Sequence, residues 1–145
     1  MPPVISRANP ADLPAIFELL DESKLPRVGL DDHVASTLVA KDGGRVVGTA
    51  ALELYGAAAL LRSVAVAAEQ RGRGLGQALT AAALDLARRS GARTVFLLTE
   101  TAAAFFPKFG FRSIPRAEVD RAVLASREFT TACPASALVM ARSLP

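Results

Sequence analysis

The stretch from Leu60 to Leu98 constrains this chain more than any other. It reads as a β-permissive run, L-L-R-S-V-A-V, then a glycine-rich turn, then a long helix, then a continuous apolar run, T-V-F-L-L. Leu75, Leu79, Ala82, Ala83 and Leu86 recur at helical spacing between about Gly74 and Arg89 and give that helix one apolar face. Gly91 ends it, with Arg88 and Arg89 in the last turn, where cations complement the helix dipole. An apolar run without alternation is expected of a buried strand. A strand, turn, helix and strand in this order resemble a parallel crossover, which implies a sheet covered by helices.

The rest of the chain supplies antiparallel partners. Val4 to Arg7 is a short candidate strand. Asn9-Pro10-Ala11-Asp12 reads as a helix start, with Asn9 as cap, Pro10 in the first position and Asp12 at the positive end. Leu13, Ile16, Phe17 and Leu20 carry that helix to about Ser23. Residues 31–36 suggest a helical turn and 37–41 a strand. Asp42-Gly43-Gly44 then turns into the run Arg45 to Tyr55, a hairpin signal. Beyond Leu98, a helix is expected over Thr101 to Phe109, a strand over Phe111 to Ile114, helical character over Arg116 to Ser126 and a last strand over Ala137 to Arg142. The expected architecture is α/β: a mixed, mostly antiparallel central sheet of 6–7 strands, with helices on both faces. Its 145 residues fit a single domain, residues 1–145.

Composition excludes several function classes. The net charge of +3 comes from scattered basic residues, mostly Arg, which does not argue for nucleic acid. One cysteine, Cys133, and one histidine, His33, cannot build a cysteine-based or histidine-rich metal site, so no metal is expected. No G-x-S-x-G motif accompanies His33. No long apolar run suggests a membrane span, and the first ten residues lack a leader-like apolar stretch. A cytoplasmic protein without membrane or nucleic-acid partners is expected, and apolar sheet edges near the C-terminus make a homodimer plausible.

The turn Arg71-Gly72-Arg73-Gly74-Leu75-Gly76 carries chemistry. Glycine permits left-handed backbone and close ligand approach, and successive N–H groups at a helix start form an anion site. Arg71 and Arg73 add charge and forked donors. A pyrophosphate suits such a turn. Spacing removes two other phosphate motifs. No Gly-Lys dipeptide exists for a P-loop, and the third glycine of a dinucleotide fingerprint falls on Gln77 or Leu79.

The stretch V-A-V-A-A-E-Q-R-G-R-G-L-G-Q-A-L resembles the acetyl-CoA signature [RQ]-x-x-G-x-[GA] of the GNAT (Gcn5-related) N-acetyltransferases, with Arg71, Gly74 and Gly76 in the specified positions. Downstream, A-x-x-F-F-P-K-F-G-F from Ala102 to Phe111 resembles that family's A-x-x-[FL]-Y-x-x-x-G-F. The resemblance spans nearly the whole chain. It implies a splayed central strand pair and acetyl-CoA as co-substrate. It also implies that the backbone of Val64, Ala65 and Val66 pairs with the pantetheine arm, and that the Val64 N–H polarises the thioester carbonyl. Arg71, Gly72, Arg73, Gly74, Leu75, Gly76 and Gln77 would bind the pyrophosphate, and Phe105 and Phe106 would line the thiol end. The family often has Tyr where Phe106 stands, as the acid for the leaving thiolate. Tyr55, the only tyrosine, is a possible substitute.

The amine needs a base, for which Glu53 and Glu100 are the candidates. A narrower resemblance links L-L-R-S-V-A-V, F-L-L-T-E-T-A-A-A-F-F and R-E-F-T-T-A-C-P-A-S-A to a small bacterial branch associated with arsenic resistance and described as amino-acid N-acetyltransferase-like. It implies a small amino-acid-like acceptor, a toxin or arsenical included. Arg62 would then hold the acceptor's carboxylate, with Ser63, Thr99 and Thr101 adding hydroxyl contacts. Cys133 is either an inert small hydrophobe or a thiol that meets an arsenical or the thioester. Two other functions stay open: a non-catalytic acyl-CoA-binding module, and an acetyltransferase of protein amines.

Overall fold

Local chemistry starts the first helix. In the computed structural model, which describes residues 2–100, 102–132 and 137–144, the Asn9 N–H donates to Asp12 Oδ2 (2.9 Å) and Asn9 Oδ1 accepts from the Ala11 N–H (3.0 Å). This reciprocal cap opens a short turn that leads into α1, Leu13–Glu22. Asp12 Oδ1 also lies 3.0 Å from Lys41 Nζ, which ties the start of α1 to the sheet. The second long helix, α2, spans Leu75–Arg89. It stops where Gly91 takes φ +95° and the Ala92 N–H returns to the Ala87 carbonyl (3.0 Å), closing the last turn.

The strands are β1 (Val4–Arg7), β2 (Thr37–Asp42), β3 (Arg45–Tyr55), β4 (Ala58–Val66), β5 (Thr94–Thr99), β6 (Arg112–Ser113) and β7 (Leu138–Ser143). They form one seven-stranded sheet in the order β1-β2-β3-β4-β5-β7-β6. All neighbours are antiparallel except β4 and β5, which α2 connects as a parallel crossover. The expected mixed α/β sheet is therefore present. Alternation along the strands separates two cores. Ala59, Leu61, Val95 and Leu97 join the main cluster with Ile16 and Leu20 of α1 and Leu79 and Ala83 of α2. Ala58, Leu60 and Phe96 point to the other face, where they meet Val123 of α3, a one-turn helix over Arg121–Leu124.

Two expected helices are shorter than the sequence suggests. Between residues 101 and 109 the described helix is a single turn, Phe106–Phe109. Pro107 fits the start of a turn but cannot continue a helix from upstream, and Gly110 ends it at φ +83°. Arg116 to Ser126 is split into the turn Arg116–Glu118 and α3. Val119 is buried in the second core with extended backbone, and Asp120 caps α3 by accepting from the Ala122 N–H (2.9 Å).

Candidate active site

A bulge and a splay together open the sheet. Ala51 pairs with Arg62 and Thr49 with Ala65, so β4 uses three steps where β3 uses two. Ser63 absorbs the extra residue at φ +59°, the left-handed region that a residue with a Cβ rarely adopts. On its other side, β4 pairs with β5 only from Ala58 to Leu60. From Leu61 and Leu97 onward the two strands part, which is the splay implied by the family resemblance. The gap is a cleft of about 370 Å³, lined by Arg62, Ser63 and Val64 from β4, by Leu98, Thr99 and Glu100 from the β5 end, and by Glu128. It continues into a second space of about 410 Å³ against Val64, Gly76, Phe105 and Phe106, and a third of about 490 Å³ along Arg71, Gly72, Gly74 and Gln77. Val66 lines all three, so they form one channel.

At the outer end the chain offers backbone. Gly72 and Gly74 have φ of +79° and +81°, and a Cβ built on either meets no protein atom within 4 Å. The open side of each glycine therefore faces the channel mouth. Among the described residues no side chain caps the N-terminus of α2, and Leu75, Gly76 and Gln77 of its first turn line that mouth. Arg71 Nε donates to the Val66 carbonyl (3.1 Å), which holds its guanidinium along the channel wall. Amides, helix dipole and an arginine fit a pyrophosphate. Phe105 and Phe106 stack edge to face with centroids 5.1 Å apart, and Phe106 packs on Phe111 at 5.8 Å.

At the inner end the chain offers buried charge. Glu53 on β3 and Arg62 on β4 lie on the same face, and Arg62 Nη1 donates to Glu53 Oε2 (2.9 Å) and to the Val28 carbonyl (2.8 Å). Arg62 Nη2 donates to the Pro26 carbonyl (3.2 Å), and Nε lies 3.2 Å from both Ser63 Oγ and Glu128 Oε2. Glu53, Arg62 and Glu128 are 1%, 2% and 4% exposed. Burial pushes the Glu53 carboxyl up, but hydrogen bonds from Tyr55, Ser126 and Arg62 outweigh it and hold Glu53 below the usual carboxylate range. Tyr55 donates its hydroxyl to Glu53 Oε1, and burial together with that carboxylate pushes the phenol up to about 12. His33 Nε2 stands 3.7 Å from Glu53 Oε1. Burial pushes Glu128 up to about 7, with Arg62 opposing and Glu53 adding to the rise.

The residues singled out in the sequence do not all come together. Val64, Ala65, Val66, Arg71, Gly72, Gly74, Leu75, Gly76, Gln77, Phe105 and Phe106 line the channel, whereas Arg73 is exposed on the same turn and lines none of the three spaces. Arg62, Ser63, Thr99 and Glu100 line the inner cleft, with Glu100 exposed at its edge. Thr99 Oγ1 accepts from the Ala102 N–H (2.9 Å) and so fixes the turn after β5. Glu53 does not line the cleft. It lies behind Arg62, beside Tyr55, His33 and Ser126, around a separate space of about 170 Å³. Thr101 and Cys133 lie outside the described residues. Glu128 was missed in the sequence. Its one signal there is an acid inside the otherwise neutral run E-F-T-T-A, and no motif gives that a role.

The sequence matches the acetyltransferase (GNAT) domain family over residues 33–113, more than half of the chain. It is 37% identical over 125 residues to an amino-acid acetyltransferase of Mycobacterium tuberculosis, covering 77% of this chain and 70% of that protein. Among solved structures it is similar to Rv2747 of M. tuberculosis, crystallised in complex with CoA, at 28% identity and a TM-score of 0.83, covering 99% of this chain and 100% of that one. The N-acetylglutamate synthase of Neisseria gonorrhoeae shares the fold at 23% identity and a TM-score of 0.84, over 99% of this chain and 35% of that one. A parallel crossover with a splayed strand pair, an uncapped helix start behind a glycine turn, and these matches all lead to one family. The chain belongs to the GNAT acetyltransferases and is an N-acetyltransferase that uses acetyl-CoA.

Proposed function

We propose that the protein moves the acetyl group of acetyl-CoA directly onto the α-amine of a free amino acid or an amino-acid-like toxin, an arsenical included. One observation carries this reading: the inner cleft ends on Arg62 and Glu128, a buried pair of opposite charge. Such a pair matches a zwitterion, whose carboxylate and ammonium need a cation and an anion in one place. The similarity to an amino-acid acetyltransferase supports the same choice.

In this reading the amides of residues 71–77 and Arg73 hold the pyrophosphate. The edge of Val64, Ala65 and Val66 carries the pantetheine arm, and Phe105 and Phe106 keep water from the thioester. The Val64 N–H stands on the bulge, positioned to stabilise charge that develops on the carbonyl oxygen. Glu53 holds the Arg62 guanidinium in place. Arg62, which lines the cleft, takes the acceptor's carboxylate in this reading, with the hydroxyls of Ser63, Thr99 and Thr101 completing that end. Glu100 stands at the cleft edge, where it meets the incoming ammonium. A thiol with a pKa of ~8.5 leaves without a proton donor, so Phe106 in place of Tyr is compatible with turnover.

Residues 1–145 form one acetyltransferase domain in this proposal, working in the cytoplasm. Among the described residues no helix is long and apolar enough to cross a membrane. A homodimer belongs to the same proposal, and the β6 edge, Arg112–Ser113, is exposed. The test is release of CoA thiol from acetyl-CoA across free amino acids, amino-acid-like antibiotics and peptides. Turnover on a free amino acid or its toxic analogue supports the reading. Turnover on peptides alone turns it toward protein amines, and tight CoA binding without turnover toward a binding module.

A further inference from the structure

Two carboxylates share one buried guanidinium at the inner end, and they are not equivalent. Glu53 takes hydrogen bonds from Tyr55 and Arg62, and His33 stands beside it. Among the described residues Glu128 is paired with Arg62 Nε, at 3.2 Å, and that N–H also lies 3.2 Å from Ser63 Oγ. Glu53 faces away from the cleft, whereas Glu128 lines it. Glu128 is carried in by the turn Glu128–Ala132 after α3, and its own N–H donates to Ser126 Oγ (3.1 Å), which fixes the start of that turn. Of the cleft's other acids, Glu100 is exposed to water. Among the described residues the charged groups around Glu128 are therefore Arg62 on β4, Glu53 behind it on β3, and Lys24, Arg71 and Glu100, which line the same cleft. Arg127, its neighbour in the chain, packs against Gly29 on the far side.

We propose that Glu128 is the general base of the transfer, taking the proton from the acceptor's ammonium. This rests on the amino-acid acceptor reading above. The ammonium gives one proton to the Glu128 carboxylate, and the freed lone pair attacks the thioester carbonyl carbon. A C–N bond forms and the C–S bond breaks. The sulfur leaves with its electron pair and takes the second proton of the nitrogen. Glu128 then returns its proton to water, so that one ammonium and one thioester give one amide, one thiol and one proton. Burial places the Glu128 carboxyl near 7, where a base is both partly ionised and strong enough to accept. Glu53, held ionised, keeps Arg62 in position and adds to that rise.

The experiment measures kcat and KM against pH for the full chain and for Glu128→Gln and Glu128→Asp. In the wild type, kcat climbs with pH through about 7 as Glu128 ionises. Glu128→Gln lowers kcat by ~100-fold or more, removes that limb and leaves the KM for acetyl-CoA unchanged. Glu128→Asp keeps the limb at a reduced kcat. A Glu128→Gln enzyme that retains the limb, with kcat within about tenfold of wild type, overturns the base role while the acceptor reading stands. A wild type that acetylates no amine overturns both. Carbon-13 titration of the carboxyls gives a second readout that does not depend on turnover. A Glu128 resonance, identified by its loss in Glu128→Gln, should titrate near 7, and titration in the ordinary carboxylate range overturns the proposal.

Discussion

The two ends of the channel solve opposite problems by opposite means. The outer end offers an anion backbone: left-handed glycines, amides at the start of α2 and exposed arginines, all within a few residues of one another. The inner end handles charge with side chains: Glu53 from β3, Arg62 from β4 and Glu128 from the turn after α3, all nearly sealed from water. An exposed site made of amides stays solvated until its ligand arrives, so it costs the fold little. A buried triad of charges is strongly coupled to stability, because each member is tolerable only while the others are present. The outer end therefore tolerates substitution in the fold and is sensitive in binding. The inner end is sensitive in both.

Arg62→Ala is the harshest way to break this contrast. It strands two carboxylates in the interior, and a loss of ~3–5 kcal/mol in urea unfolding is expected. A loss below ~1 kcal/mol would mean that the inner cluster does not hold its end of the sheet. Next comes pH. The folded Glu128 carboxyl stands near 7, above its ordinary value, so its protonation favours the fold. That contribution is complete in acid below the ordinary carboxylate pKa and is lost as pH rises through about 7. Glu53, held low, acts in the reverse sense, and its contribution is lost only as pH falls below the ordinary carboxylate range. Glu128→Gln removes the first effect, so its stability relative to wild type should climb between pH 5 and pH 8, by on the order of 3 kcal/mol. Thermal unfolding across that range checks it, and a flat difference would sink it.

At the outer end the effects are smaller and appear in binding. Gly74→Val forces a branched residue to φ +81° at a cost of ~1–2 kcal/mol, with no steric clash against the protein. Calorimetry should show CoA affinity falling by more than ~10-fold while the variant stays folded, because the new side chain enters the space the ligand needs. Arg73→Ala is the mildest. Arg73 is exposed, so its loss should weaken CoA binding by less than ~1 kcal/mol, and the difference should fade as salt is added.

The same contrast explains what could be read in advance. Strand, glycine turn and helix from Leu60 to Arg89 follow from periodicity and from residues a few positions apart. The Asn9 cap and the hairpin at Asp42-Gly43-Gly44 are local in the same way. The helix expected from Thr101 to Phe109 failed because Pro107 restarts the chain and Gly110 stops it. Arg116 to Ser126 looked helical, but burying Val119 in the second core required extended backbone. Glu53 is one of two candidate bases by sequence. Alternation gives the face of the sheet, but not whether cleft or protein covers that face.

The sequence by itself thus determined the family, the glycine turn and the order of elements, because each is written in short-range spacing and backbone preference. Only the tertiary structure decided which buried acid meets the cleft. Ser63 at φ +59° makes room in β4, the splay from β5 opens the gap, and the turn after α3 brings Glu128 to Arg62. Contacts between residues so far apart in the chain depend on packing and charge burial, and neither leaves a periodic mark in the sequence.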